Sequence, residues 1–180
     1  MSEAESALNT LARFATGLLD MDPVEVYDDP TVAGPQVNVT LRVVAYGRAF
    51  YEANSAPIRA FALFHEVGHV YAVDRRLQGR TAHDVEFIAD WIGGWLCAAY
   101  GIDLGGADHP APMASNFGAT VLDGVAAASL PVRVALTLGL RASATHPAGT
   151  NRAEVVTDGY LARTTSASSP LLVPRDDDEP

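Results

Sequence analysis

The chain has no lysine. All twelve of its basic residues are arginine, against 22 aspartates and glutamates, giving a net charge of −10 and a pI of about 4.7. Arginine without lysine reads as a GC-rich coding bias and points to a bacterial source. The acidic balance excludes nucleic acid or an anionic membrane surface as the main partner, because both require a basic face. Cysteine is nearly absent. Cys97 alone cannot form an internal bridge, which excludes the disulfide-scaffold class of secreted domains. Long apolar runs are missing too. The best candidate, Gly118 to Leu140, is broken by Asp123, Pro131 and Arg133, so no membrane span is expected. The opening MSEAESALNTLARF has neither the basic segment nor the apolar segment of a signal peptide. The expectation is a cytoplasmic protein.

What is present suits one globular domain. At 180 residues, folding hides roughly 70% of the chain's surface. Leu8, Leu11, Phe14, Leu18 and Leu19 fall at helical spacing over about 3–19, and Met21-Asp22-Pro23 breaks that helix. Val24 to Tyr27 alternates as a short strand. Gln36 to Tyr46, rich in Val and Thr, predicts two short strands with a bend near Thr40 to Arg42. Ser55-Ala56-Pro57 predicts the start of a helix reaching about Arg75. Thr81-Ala82-His83-Asp84 has the form of a capping box opening a helix to Tyr100, stopped by Gly101. A loop over Gly105 to Met113, helices over about 115–130 and 131–143, and a last helical segment after Pro147, through Tyr160, complete the pattern. The expected class is α+β, with the strands gathered in the N-terminal third of a domain over 1–163. Residues 164–180, rich in Ser, Pro and Asp, read as a flexible acidic tail.

Histidine is scarce as well, and its placement is telling. Two of the five histidines stand four residues apart in FALFHEVGHVYAVD. On a helix, His65 and His69 share one face and can bind a single tetrahedral Zn2+. Glu66, next to the first, is placed to take the proton of a metal-activated water as general base. The bland alternative is a coincidental pair on a core helix. A catalytic zinc needs a third protein ligand. Glu86 and Asp90 on the next helix again stand at i and i+4, among Phe87, Ile88, Trp91, Ile92 and Trp95. Either both are solvated on an exposed stripe, or Glu86 is the third ligand. In the second case Asp90 accepts the outer N–H of a ligating histidine and fixes its tautomer.

HEVGH followed by E-x-x-A-D resembles the gluzincin metallopeptidases, and among them the minigluzincins and the HtpX-like, CAAX-prenyl-protease-like enzymes. The resemblance spans about Val24 to Arg152. It implies a minimal zincin-like fold: a small N-terminal sheet with an exposed edge strand, packed on a helical bundle that carries the HExxH helix. It also implies zinc-dependent hydrolysis of peptide bonds in a polypeptide substrate. Gln36-Val37-Asn38-Val39 stands where the family has its edge strand, which makes Asn38 and Val39 the expected substrate-pairing residues. Arg42 to Phe50 stands where a strand leads toward the metal helix. Ser143-Ala144-Thr145-His146-Pro147, with Arg152 six residues beyond the histidine, is similar to a downstream T-H-P…R element. By that likeness His146 would be a catalytic donor facing the metal, and Arg152 would position the segment or touch substrate.

Other residues have plainer readings. His83 caps a helix start or is solvated. His109 lies on a Gly/Pro-rich loop that could fold over the cleft as a lid or supply a fourth ligand. Cys97, Trp91 and Trp95 read as core. Asn38-Val39-Thr40 is a silent glycosylation sequon if the chain is not secreted. Two further functions stay open: an ImmA/IrrE-like regulatory protease with one protein substrate, and a catalytically silent, zinc-stabilised interaction module.

Overall fold

A computed structural model describes residues 2–77, 81–102 and 149–165. In order, the described elements are α1 (Glu3–Leu18), β1 (Glu25–Asp28), β2 (Gln36–Asn38), β3 (Val43–Tyr46), α2 (Arg48–Ala53), α3 (Ala56–Asp74), α4 (Ala82–Tyr100) and α5 (Gly149–Thr165). This is the expected α+β arrangement, a small three-stranded sheet among helices. No helix among the described residues is long and apolar enough to cross a membrane.

Helix boundaries follow local chemistry. Ser2 caps α1, accepting from the Glu5 N–H while the Glu5 carboxylate accepts from the Ser2 N–H. Thr81 and Asp84 form the same reciprocal box at the start of α4. Gly101 ends α4 at φ 78°, a conformation that costs other residues strain. Ser55, expected to cap α3, stands at its N-cap position without a side-chain cap bond, and Pro57 lies in the first turn, where a missing N–H costs nothing.

The sheet order is β1-β3-β2, with β1 parallel and β2 antiparallel to β3. Both outer strands are therefore edges, and they are treated differently. Asn9 of α1 closes the edge of β1: its side-chain N–H donates to the Val26 carbonyl at 2.8 Å and its oxygen accepts from the Val26 N–H at 2.9 Å. The amide stands in for a neighbouring strand. The other edge, β2, lies beside α3.

The expected edge strand is shorter than the sequence suggested. It ends at Asn38, whose side-chain oxygen accepts from the Leu41 N–H at 3.0 Å and starts the turn into β3. Val39 and Thr40 belong to that turn, and Val39 packs toward the core. Arg42 follows at φ 56° and is held there by both oxygens of Asp74, each at 2.8 Å. The strand expected through Phe50 also stops early, at Tyr46. Residues 48–53 form α2 instead, because Gly47 runs against the backbone of Val32 with no room for a side chain and the chain turns there.

Phe64, Leu63, Val67 and Val70 of α3 are buried among residues of α1, the sheet and α4. Cys97 and Trp95 join this core as expected, and Trp91 packs at its margin. Glycines set the helix spacing. Gly68 of α3 sits against the backbone of Ala89 on α4, and Gly93 against the backbone of His65. Gly94 and Gly159 let the α4 and α5 backbones touch, each lying on a carbonyl of the other helix, Val156 and Trp91 respectively. The final helix runs to Thr165, past the helix end expected at Tyr160 and two residues past the expected domain end. The loop with His109, the two helices expected between 115 and 143, His146 and the tail beyond 165 lie outside the described residues.

Candidate metal centre

The close approach of α3 and α4 brings two i,i+4 pairs face to face. His65 and His69 project from α3, Glu86 and Asp90 from α4. Neither carboxylate lies on a solvated stripe: Glu86 is 9% exposed and Asp90 0%. His65 Nε2 and His69 Nε2 are 3.1 Å apart. The Glu86 carboxylate straddles them, with Oε2 3.5 Å from His65 Nε2 and Oε1 3.5 Å from His69 Nε2. Among the described residues these three side chains form the group that could hold a metal ion.

The spacing fits an ion. A tetrahedral centre about 2.0–2.1 Å from each nitrogen or oxygen holds its donors roughly 3.3 Å apart. The observed separations of 3.1 and 3.5 Å bracket that value. Without a cation, two facing imidazole nitrogens can share only one hydrogen between them, which is a poor use of two buried polar groups.

Behind the triad lies a second layer. His65 Nδ1 is 2.9 Å from Asp90 Oδ1, close but not aligned as a good hydrogen bond. Asp90 is in turn gripped by Arg152 of α5, whose Nε donates to Oδ2 at 2.7 Å and whose Nη2 donates to Oδ1 at 2.8 Å. The same Nη2 lies 3.3 Å from Glu86 Oε2. Arg152 is 3% exposed, so the pairing is a buried one. The sequence suggested a positioning or substrate-binding role for Arg152; the structure places it behind the triad, on the two α4 carboxylates.

These charges shift one another. Burial disfavours a charged His65, but the Asp90 carboxylate 2.9 Å away, with Glu86 and Glu66 beyond, outweighs it and lifts the imidazole to about 10. Burial and the charge on His65 push His69 down to about 4. Burial alone would raise Glu86; His65, His69 and Arg152 overcome this and bring it down to about 2. The cluster therefore favours a positive charge on its His65 side. Glu66 stands apart from the triad but within its field. Burial raises it to about 7, the neighbouring Glu86 adds to the rise, and His65, the Val37 N–H and Arg152 oppose it.

Sequence reasoning did not identify Arg152 as Asp90's partner, nor the glycines that close the helices. The only signal was Gly93-Gly94 inside an otherwise apolar helix, which marks a close approach without naming its partner. His83, expected to cap a helix start or be solvated, sits half-buried in the first turn of α4, where Thr81 and Asp84 supply the cap. No protein-family model, curated protein or solved structure matches this chain, so its site must be read from its own geometry.

Proposed function

We propose that this chain is a zinc-dependent metallopeptidase of the gluzincin type, acting on polypeptide substrates. The observation that carries the reading is the His65–His69–Glu86 group with a separate, partly buried carboxylate, Glu66, beside it. A purely structural zinc is usually closed by four protein ligands, whereas two imidazoles and one carboxylate leave a position open. A structural site also has no use for a neighbouring base.

His65, His69 and Glu86 would hold the ion. Zinc bound there would supply Lewis acidity, polarising a carbonyl and making water acidic near neutral pH. The remaining chemistry belongs to the chain. Glu66, raised toward neutrality, can accept a proton on its carboxylate and hand it to the departing amine. Asp90, held by Arg152, orients His65. The edge strand β2, Gln36–Asn38, runs beside α3 with its Val37 N–H on the Glu66 carboxylate, so an extended peptide added there as a further strand would exchange that contact for its own main chain. The matching positions at Val26 on β1 are already filled by Asn9. His146 would offer a second donor to the developing oxyanion. The small sheet with an edge strand beside the metal helix supports the minimal zincin-like fold, and the absence of a spanning helix among the described residues suits a cytoplasmic setting.

The test is Glu66→Gln in the zinc-loaded protein, assayed on an unfolded polypeptide. The amide keeps the shape but cannot take the proton, so zinc content should hold while hydrolysis is lost. Hydrolysis at the wild-type rate with zinc retained contradicts the proposed role of Glu66. A wild type that binds zinc but cleaves neither unfolded protein nor candidate partners favours the silent interaction module.

A further inference from the structure

A carboxylate can bind a cation through one oxygen or both. The choice decides whether a site built from two histidines and a glutamate gives its ion three protein donors or four. In this chain the two oxygens of Glu86 are not equivalent. Both stand 3.5 Å from an imidazole nitrogen, Oε2 from His65 and Oε1 from His69, but it is Oε2 that also lies 3.3 Å from Arg152 Nη2. The guanidinium is not loose. Its fork is fixed by both oxygens of Asp90, at 2.7 and 2.8 Å, and Asp90 is completely buried. Nη2 is thus anchored where it faces Oε2. A dication drawn close to Oε2 meets an arginine charge at short range with little solvent between them.

We propose that Arg152 restricts Glu86 to ligation through Oε1 alone, so that the bound ion has three protein donors and keeps its fourth position for water. This deepens the metallopeptidase reading and rests on its ligand set. Arg152 acts through Glu86 and is a positioning residue. Lysine would not substitute for it, because the placement depends on a planar fork holding Asp90 with two donors while one of them faces Glu86.

The test uses Co2+ as the probe, loaded into the full chain, and reads the visible spectrum. Four-coordinate Co2+ absorbs several-fold more strongly than five-coordinate Co2+, so the band intensity counts donors. The wild type should give the strong four-coordinate band. In the wild type the four donors are two imidazoles, Oε1 and a water; Arg152→Met should give the weaker five-coordinate band, as Glu86 brings its second oxygen to an ion that keeps that water. Because Arg152→Met leaves Asp90 charged and buried, the double variant Arg152→Met/Asp90→Asn serves as the second measurement and should show the same loss of intensity. A four-coordinate band in both variants overturns the proposal while leaving the ligand set standing. A five-coordinate wild type also overturns it. A wild type that takes up no Co2+ removes the ligand set, and the inference with it.

Discussion

Gly68 lies between the two histidines' turns and the Glu86–Asp90 turn, and a single added methyl there tests whether helix spacing sets the metal site. A Cβ on Gly68 would stand 2.9 Å from both the Cα and the carbonyl oxygen of Ala89, and 3.2 Å from Ile92 Cβ. The first two are backbone atoms and cannot rotate away. Restoring an ordinary contact of 3.4 Å moves α4 outward by about 0.5 Å. Metal sites tolerate about 0.2 Å in ligand distance. Ala89 adjoins Asp90 and stands one turn beyond Glu86, so both carboxylates move with it. Overpacking costs about 1–3 kcal/mol. Alanine in place of glycine returns roughly 1 kcal/mol of helix propensity. The net loss in Gly68→Ala is then about 0–2 kcal/mol, and each kcal/mol lowers Tm by about 2–4 °C in a chain of this size. The fold survives while zinc binding suffers. Competition with a chromophoric chelator should show zinc affinity reduced by about 10-fold or more, and thermal melting should show the modest loss of stability. Affinity equal to wild type would refute the claim that helix contact at Gly68 sets the ligand geometry.

Other consequences follow from the same contacts. Asp90→Ala should weaken zinc by roughly 10- to 100-fold, by releasing His65, and should cost about 3 kcal/mol in urea unfolding because Arg152 is left buried without its main partner; unchanged zinc affinity would reject the orienting role. Zinc loading at pH 7 should release at least one proton, because ligation needs a neutral imidazole and His65, lifted to about 10, is charged in the metal-free site, while Glu66, raised to about 7, gives up its remaining share beside the dication. His69 and Glu86 contribute none at that pH, being held neutral and ionised respectively. Titration calorimetry in buffers of different ionisation enthalpy reads this number directly, and binding heats independent of buffer would contradict it.

The parts of the site that were legible in the sequence were those carried by period. His65 and His69, then Glu86 and Asp90, repeat at four residues inside apolar runs, and i,i+4 spacing on a helix fixes a shared face without knowledge of the rest of the fold. Local hydrogen bonding made the capping box at Thr81 and Asp84 equally readable. Contacts between distant residues were not readable in this way. Nothing near Arg152 names Asp90, 62 positions earlier, as its partner. Nothing near Asn9 tells that its amide will seal Val26. The edge strand was drawn too long because Val39 and Thr40 are good strand formers. Asn38 instead spends its side-chain oxygen on the Leu41 N–H, and that bond ends the strand. RAFYEA carries no cap signal of its own. Its helix follows from the tight passage of Gly47 past Val32, a tertiary contact.

The central claim is that His65, His69 and Glu86 bind one zinc together. The most direct measurement is the metal content, by plasma mass spectrometry, of zinc-loaded and exhaustively dialysed wild type, His65→Ala, His69→Ala and Glu86→Ala. The account predicts one zinc per chain in the wild type and an empty site in each variant. Zinc retained at full stoichiometry in any of the three, or absent from the wild type, contradicts it.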